Sequence, residues 1–332
     1  MLVARQMLEQ SLAARLRHSL RFDGLWWRRF AYLGSVYGPE WWKRYSPPLI
    51  GAIFFLTVGR NRRAAVANLQ RILDDPARRR APWVALRMFS EFAHCMAETL
   101  EYYSPRPLPI QLDVPTDDAL AAVLREGRGA VVVTGHVGNW DIAAKTLRDY
   151  GRPINIVMAR EVNFTTHDFM RQARERAGVR VIYADSSVFS SLNMIRALRN
   201  NEIVALQLDR SAGAGGTRLV PFFGAPARFP SGPFALARLS GAPLVPIFIP
   251  RVGTRHYSVR IYGPFRVPRE GRDARAVAAT MREVIATFEN ILHEFPSQWF
   301  QFTPFWTPEA SASVANEAKQ IEAPLGRSGT AG

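Results

Sequence analysis

The sequence predicts an α/β fold in which a mixed central sheet is flanked by helices and preceded by an N-terminal helical part. From residue 110 onward, short apolar runs rich in Val and Ile alternate with amphipathic stretches of helical length. Such alternation is typical of a sheet with helices on both faces. Residues 1–105 have mainly helical patterns instead. We therefore expect residues 1–105 and 106–308 to form one continuous domain, followed by a disordered tail over 309–332, which is rich in Ala, Ser, Gly and Glu.

The individual elements follow from apolar periodicity and from the turn residues that separate the periodic segments. Residues 64–100 are predicted to be mainly helical, with a polar break at 75–80 and Pro82 near the start of the next helix. Beyond residue 110, helical patterns cover 117–125, 140–150, 164–177, 190–199, 233–239 and 274–295. Strand patterns cover 130–134, 154–159, 179–183, 203–208, 244–250 and 257–262.

Composition limits the classes of protein to which the chain can belong. With 332 residues, 48% of them hydrophobic, it has ample material for a core and is neither disordered nor fibrous. Forty-three Lys and Arg against 28 Asp and Glu leave a formal net charge of +15, which favours a polyanionic partner. Nucleic acid, an anionic bilayer and an acidic carrier protein all meet that condition, and charge alone does not choose among them.

Cysteine and histidine usage argues against a disulfide framework and against a metal site. The single cysteine, Cys95, lies in a helical stretch and is expected to be a small buried residue. Five of the histidines share no metal-ligand spacing: His18, His94, His167, His256 and His293. We therefore expect no metal and no other cofactor.

Aromatic and basic residues are interleaved in the N-terminal part, at 26–30, 41–45 and 60–63. Trp and Tyr prefer the headgroup level of a bilayer, and Lys and Arg are attracted to anionic lipid. The longest apolar run, residues 47–58, contains two prolines and is too short to span a membrane. The N-terminus also lacks the pattern of a signal peptide. We expect a face that holds the protein peripherally or monotopically on an anionic membrane. The alternative is a solvated basic helix bundle with its Trp residues in the core.

The tract 130–141, which contains three consecutive Val residues, is the most informative part of the sequence. The Val run suits a buried strand, Gly135 and Gly138 allow a tight exit from it, and Asn139 is a good N-cap for the following helix. His136 is thus expected at the carboxyl end of a strand, where open α/β sheets bind ligands. An Asp near an imidazole fixes its tautomer, so Asp141 would make His136 a general base. The alternative is a structural His whose Asp caps the helix.

Five blocks follow one another along the chain: 135–141, Arg160 with Asn163, 207–210, 220–233 and 241–246. Their residues and order resemble the lysophospholipid-type acyltransferases, and more closely the bacterial lipid A biosynthesis acyltransferase family with its mycobacterial phosphatidylinositol mannoside acyltransferase relatives. The resemblance covers roughly residues 60–306. The segment 298–306 is similar to the family's terminal aromatic block, although Thr303 and Pro304 replace basic residues often present there.

The resemblance implies a glycerolipid acyltransferase-like fold and an O-acyltransferase. Such an enzyme moves a fatty acyl group from an acyl-ACP or acyl-CoA thioester to a hydroxyl of a lipid or glycolipid, at the cytoplasmic face of the inner membrane. The family's general base and its orienting carboxylate fall on His136 and Asp141. The chain has no G-x-S-x-G elbow, and Cys95 is far from the His in sequence, so direct attack by the acceptor is expected without a covalent intermediate.

The expected substrate-binding residues are Gly138, Asn139, Arg160, Asn163, Gln207, Asp209, Arg210, Arg228, Ser231 and Gly232. Backbone N–H groups of Gly138 and Asn139 at a helix start could stabilise an oxyanion or hold a phosphate. Guanidinium groups of Arg160 and Arg228 suit bidentate phosphate binding. In the resembled family the region around 207–210 contributes acidic or polar residues beside the base, and Gln207 stands where some relatives have an acidic residue.

Two other classes of function compete with this reading. A non-catalytic acyltransferase homologue could act as a lipid-binding partner, although the intact His136 and Asp141 argue against it. A basic nucleic-acid-binding module could stack its interleaved Arg and Trp residues on bases. The sequence has none of the known nucleic-acid-binding signatures, so no nucleic acid partner is expected.

Overall fold

The computed structural model describes residues 25–77, 79–116, 119–158, 178–184, 188–210, 216–269 and 274–306. Several predictions fall outside these residues and stay predictions: Arg160, Asn163, the helix over 164–177 and the tail over 309–332.

Four helices form the described N-terminal part: α1 (Leu25–Tyr37), α2 (Glu40–Thr57), α3 (Gly59–Ile72) and α4 (Ala81–Tyr102). Helix α4 packs against the other three and forms the centre of this part. Its predicted start near Pro82 is confirmed. The Asp75 carboxylate accepts the backbone N–H groups of Arg79, Arg80 and Ala81, which lead into the helix. Within the described ranges, no helix combines the length and the apolar character needed to cross a bilayer.

The strands are β1 (Gln111–Asp113), β2 (Ala130–Thr134), β3 (Ile154–Met158), β4 (Val179–Tyr183), β5 (Ile203–Gln207), β6 (Thr217–Phe222), β7 (Ala225–Pro230), β8 (Leu244–Phe248), β9 (Arg251–Gly253), β10 (His256–Ser258) and β11 (Arg260–Ile261). The helices between and after them are α5 (Ala119–Arg125), α6 (Trp140–Arg148), α7 (Val188–Arg199), α8 (Gly232–Ser240) and α9 (Ala274–Glu294), with a 3₁₀ turn at Pro296–Gln298. These bounds confirm the alternating pattern predicted from residue 110 onward.

The central sheet has six strands in the order β11–β8–β2–β5–β3–β4. Strands β8, β2, β5, β3 and β4 run parallel, and β11 runs antiparallel to β8 at the edge. The sheet is therefore mixed, as predicted. Parallel strands point their carboxyl ends to one edge, so the loops that follow β2, β5 and β8 meet there.

Several segments differ from the prediction, among them the short strands β1 and β9, which were not predicted. The strand expected over 257–262 is divided, because β10 joins β1 and β9 in a separate three-stranded sheet whereas β11 pairs with the central sheet. Strands β6 and β7, which were not predicted, form an antiparallel hairpin. Its two-residue turn, Phe223 and Gly224, has φ of 47° and 71°. Such turns usually carry Asn or Gly at the first position, and Pro226 and Pro230 within β7 also argue against a strand.

Candidate active site

His136 and Asp209 follow two neighbouring parallel strands and lie at the same edge of the sheet. Thr134, the last residue of β2, is paired with Gln207, the last residue of β5. Each functional side chain comes two residues after the end of its strand. The in-register pairing of β2 with β5 therefore brings together residues that are 73 positions apart in the chain.

The Asp209 carboxylate holds the His136 imidazole from a fully buried position. Its Oδ1 lies 2.8 Å from Nδ1 of His136, and its Oδ2 accepts the His136 backbone N–H at 2.9 Å. The indole N–H of Trp299 also donates to Oδ2, at 2.9 Å. Burial alone would raise the pKa of the Asp209 carboxyl, but the His136 imidazole and the three hydrogen bonds lower it to about 2. The carboxylate is therefore ionised at neutral pH.

Asp209, and not the predicted Asp141, holds the imidazole at Nδ1, and a catalytic role of Asp141 stays a prediction. Nδ1 can make one in-plane hydrogen bond, and Asp209 makes it. Asp141 lies buried in the first turn of α6, where a negative charge is favoured by the helix dipole. Asp209, expected among the substrate-binding residues, is instead a second carboxylate beside the base. The His136 side chain keeps 13% exposure, and its Nε2 has no hydrogen-bond partner among the described residues.

Two glycines let the chain turn sharply around His136. A Cβ at Gly135 would lie 2.5 Å from the ring of Phe288, which packs beneath the turn from α9. A Cβ at Gly138, where φ is +60°, would lie 2.0 Å from the carbonyl oxygen of Ile249. Both positions therefore require glycine, and the tight exit predicted from the sequence is confirmed.

The backbone N–H groups of Gly138 and Asn139 are not available to a substrate. Gly138 N–H donates to the Gln298 carbonyl at 3.1 Å, and Asn139 N–H donates to the Ile249 carbonyl at 3.0 Å. The expectation that they stabilise an oxyanion or hold a phosphate is therefore wrong in this structure. The reason is that the loop after β8 and the 3₁₀ turn pack directly on the helix start, so protein carbonyls occupy the positions of a ligand.

The Asn139 side chain is likewise part of the protein interior. Its amide donates to the Cys95 carbonyl at 3.0 Å and to the Tyr257 hydroxyl at 3.1 Å, and its oxygen accepts from Thr99. Burial raises the pKa of the Tyr257 hydroxyl, which donates to Glu98. This polar network fixes the start of α6 against α4. Asn139 directly precedes α6, as predicted for an N-cap, but its side chain bonds to α4 and Tyr257, and its contact with a substrate stays a prediction.

The segment after the 3₁₀ turn completes the site, and sequence reasoning missed its role. Trp299 holds Asp209, and the backbone N–H of Phe300 donates to the His136 carbonyl at 2.8 Å. The Gln298 side chain exchanges two 2.7 Å hydrogen bonds with the backbone of Arg251. The only sequence signal was the resemblance of this segment to a terminal aromatic block.

Arg210, one of the predicted substrate-binding residues, lies near His136. Its Nη2 donates to the Phe300 carbonyl at 3.3 Å, and its side chain is exposed. Gln207 is half-buried and lines a small apolar pocket together with Thr134 and Trp140. The structure therefore brings Arg210 and Gln207 to the same edge of the sheet as the base.

The remaining predicted residues lie around the β6–β7 hairpin. Arg228 is exposed on β7, while its neighbour Phe229 is fully buried against Phe222. The Ser231 hydroxyl donates to the Gly216 carbonyl at 2.7 Å, so a ligand could use only its lone pairs. Gly232 opens α8, and a Cβ there would meet open space. Their substrate contacts stay predictions.

An apolar groove of about 460 Å³ runs between α1, α2 and α4. Its walls include Pro47, Phe54, Phe89, Phe92 and Phe302. The rings of Phe92 and Phe300 lie 5.2 Å apart, and Phe300 is the residue bonded to His136. A residue of the groove wall therefore packs against the residue that hydrogen-bonds to the His136 backbone. The volume of the groove lies within the range of about 300–1,000 Å³ usual for ligand sites.

Groups of three or more His, Cys, Asp or Glu that could hold a metal ion do not occur in the described part of the chain. The Cys95 side chain is buried, as predicted.

The sequence is similar to a known family and to several known proteins. The model of the family described as bacterial lipid A biosynthesis acyltransferase matches residues 25–307. A phosphatidylinositol mannoside acyltransferase of Mycolicibacterium smegmatis is 29% identical over 203 residues, which are 60% of this chain and 64% of the relative. One of Mycobacterium tuberculosis is 30% identical over 211 residues, 63% of this chain and 65% of the relative. The match thus spans slightly less than two thirds of these relatives. The family model covers most of the chain, which therefore belongs to the bacterial lipid A biosynthesis acyltransferase family.

Proposed function

We propose that this protein is an O-acyltransferase that moves a fatty acyl group from an acyl-CoA or acyl-ACP thioester to a hydroxyl of a membrane lipid or glycolipid. The observation that carries the proposal is the His136–Asp209 pair, together with an apolar groove whose wall residue Phe92 packs against Phe300, the residue that hydrogen-bonds to the His136 backbone. An ionised, buried carboxylate on Nδ1 leaves Nε2 as the basic atom. An apolar groove accommodates an acyl chain of a lipid substrate, whereas a nucleic acid has no such chain.

The proposed reaction is a direct transfer. Nε2 of His136 takes the proton of the acceptor hydroxyl while the hydroxyl oxygen attacks the thioester carbonyl. The carbon–sulfur bond then breaks, and the imidazolium returns the proton to the leaving thiolate. The products are an ester and a thiol. Asp209 stabilises the imidazolium that forms between these steps, and general base catalysis typically contributes about 10²–10⁴ in rate.

Arg210 is the proposed donor for the developing negative charge. The backbone groups of Gly138 and Asn139 are bonded to protein carbonyls, so another donor must stabilise the oxyanion. One N–H group of Arg210 is used on Phe300, and its fork retains further donors beside the catalytic turn.

We also propose that the protein works peripherally on the cytoplasmic face of the plasma membrane. On α2, apolar residues recur at intervals of three or four and remain 43–68% exposed: Trp41, Tyr45, Leu49, Ile53 and Leu56. This spacing places them on one helix face, which we call the α2 stripe. Ile53 also lines the groove. A basic chain with an exposed apolar stripe fits an anionic bilayer.

Replacing Leu49 and Leu56 together by Gln is expected to weaken binding to vesicles of anionic phospholipid by about tenfold or more, because each Leu side chain gains about 1.5–3 kcal/mol on burial. The measurement is sedimentation of the full chain with the vesicles. The matched control replaces Leu192 and Leu239, which are 53% and 64% exposed on other helices. If both double variants lose vesicle binding to the same extent, the α2 stripe is not the membrane contact.

The acyltransferase function is tested with the purified full chain and a radiolabelled acyl thioester. Acyl-CoA and acyl-ACP are supplied in parallel. The first acceptor to be tested is phosphatidylinositol mannoside, the lipid that appears in the names of the relatives. We expect label to appear in the lipid fraction as an alkali-labile ester, with release of one thiol per ester. Saturable lipid binding without any ester formation from either donor would instead identify a non-catalytic lipid-binding homologue.

A further inference from the structure

The apolar groove ends at Asn61 and Phe302, and both residues also line a second pocket of about 560 Å³. The remaining lining residues of this second pocket are Arg60, Arg63, Ala64, Ala67, Thr303 and Pro304. One ligand can therefore occupy both spaces, with an apolar part in the groove and a polar part in the pocket. We call the second space the arginine pocket.

The arginine pocket has a positive charge that the described residues do not neutralise. Arg60 and Arg63 are exposed, and neither forms an ion pair within the described part of the chain. Helix α3 begins at Gly59 and has no acidic residue in its first turn, so its dipole adds to the positive potential. Arg62 differs, because its Nη1 donates to the carbonyls of Phe55 and Leu56 at the end of α2.

The arginine pocket is fixed relative to the catalytic His. The Asn61 amide donates to the Phe302 carbonyl at 3.2 Å, and the Asn68 amide donates to the Thr303 carbonyl at 2.9 Å. Two residues before Phe302, Phe300 bonds to His136. The chain from Phe300 to Thr303 can span at most about 10 Å. The segment that lines the arginine pocket therefore leads directly to the residue that hydrogen-bonds to the His136 backbone.

We propose that Arg60 and Arg63 bind the phosphate of a phospholipid acceptor whose acyl chain lies in the groove. This inference rests on the proposed function and names a phosphate site for its acceptor. In a phospholipid the phosphate is attached to the glycerol that carries the chains, so charge and chain are adjacent, as the two spaces are. In a thioester donor the whole pantetheine arm separates the phosphate from the acyl group. The adjacency of the groove and the arginine pocket therefore favours a phospholipid acceptor over a thioester donor as their ligand.

The test measures binding of a short-chain phosphatidylinositol to the full chain, below the lipid's micelle concentration, by titration calorimetry. We expect Arg60→Gln with Arg63→Gln to weaken this binding by about tenfold for each Arg removed. Binding of the diacylglycerol with the same chains, which has no phosphate, should not change. The control, Arg125→Gln with Arg128→Gln, removes the same charge from exposed positions just before β2, at the opposite edge of the sheet.

The remaining outcomes separate the sources of phosphate. Loss of coenzyme A binding with intact phosphatidylinositol binding would assign the pocket to the donor and overturn the proposal. If the control pair weakens phosphatidylinositol binding equally, the effect comes from net charge alone, and the proposal is overturned as well. His136→Ala is expected to bind phosphatidylinositol as the wild type does. Binding that follows these expectations in a protein with no transferase activity would contradict the proposed function and leave the phosphate site intact.

Discussion

Asp209→Asn is expected to lower kcat by about 10²–10⁴, with a small effect on KM. The amide removes the counter-charge of the imidazolium. If the amide N–H₂ donates to Nδ1 of His136, it also forces the proton onto Nε2, the atom that must act as base. His136→Ala is expected to lose at least as much. Steady-state kinetics of acyl transfer, on variants whose thermal melts match the wild type, measure both effects.

Asp141→Asn is the matched comparison, because it makes the same chemical change in the other buried carboxylate of the site. We expect a smaller loss than in Asp209→Asn, since Asp209 makes the bond to Nδ1. A reversed order, with Asp141→Asn the more damaged enzyme and both proteins folded, would assign the imidazole to Asp141 and contradict the arrangement described above.

Gly138→Ala is expected to destabilise the protein by several kcal/mol and to abolish transfer. The left-handed conformation costs a non-glycine residue about 1–2 kcal/mol. The new Cβ must also displace the Ile249 carbonyl, which would lie only 2.0 Å away. That carbonyl accepts the Asn139 N–H, so the displacement also breaks the start of α6.

Gly151→Ala is the control, because this glycine has a similar φ of +64° but no atom within 4 Å of the new Cβ. It should cost only the conformational penalty, about 1–2 kcal/mol. Chemical denaturation of the two variants gives the difference. Equal destabilisation would mean that the close approach of Ile249 adds no constraint to the catalytic turn.

The part of the site that is local in sequence could be predicted. Strand β2, the glycine turn and the position of His136 all follow from one short tract, because a Val run and two glycines specify a strand and its exit. The choice of Asp141 as partner relied on closeness in sequence and on the resembled family, whereas the partner at Nδ1 comes from the end of β5. The resemblance placed acidic or polar residues of the region 207–210 beside the base, and the pairing of β2 with β5 identifies Asp209 among them.

Other features depended on tertiary contacts that no local pattern reveals. The hairpin β6–β7 contains prolines and a turn that begins with Phe223, so its strands lack the usual signals. Gly138 lies just before a helix, as predicted. Its backbone N–H, however, is bonded to the carbonyl of Gln298, which lies 160 residues later in the chain. Trp299 was visible as an aromatic residue, yet its hydrogen bond to Asp209 required the fold.

The attachment of residues 301–303 to α3 has a consequence for the order of folding. The Asn61 and Asn68 amides bond to carbonyls 241 and 233 positions later in the chain. Contacts of such separation form slowly, because the intervening chain must first be ordered. On the ribosome, α3 emerges long before its partners are synthesised. A nascent chain can thus complete β2 and β5 and still lack the Trp299 bond that holds the Asp209 carboxylate, so the complete site forms only after Trp299 has been synthesised and packed.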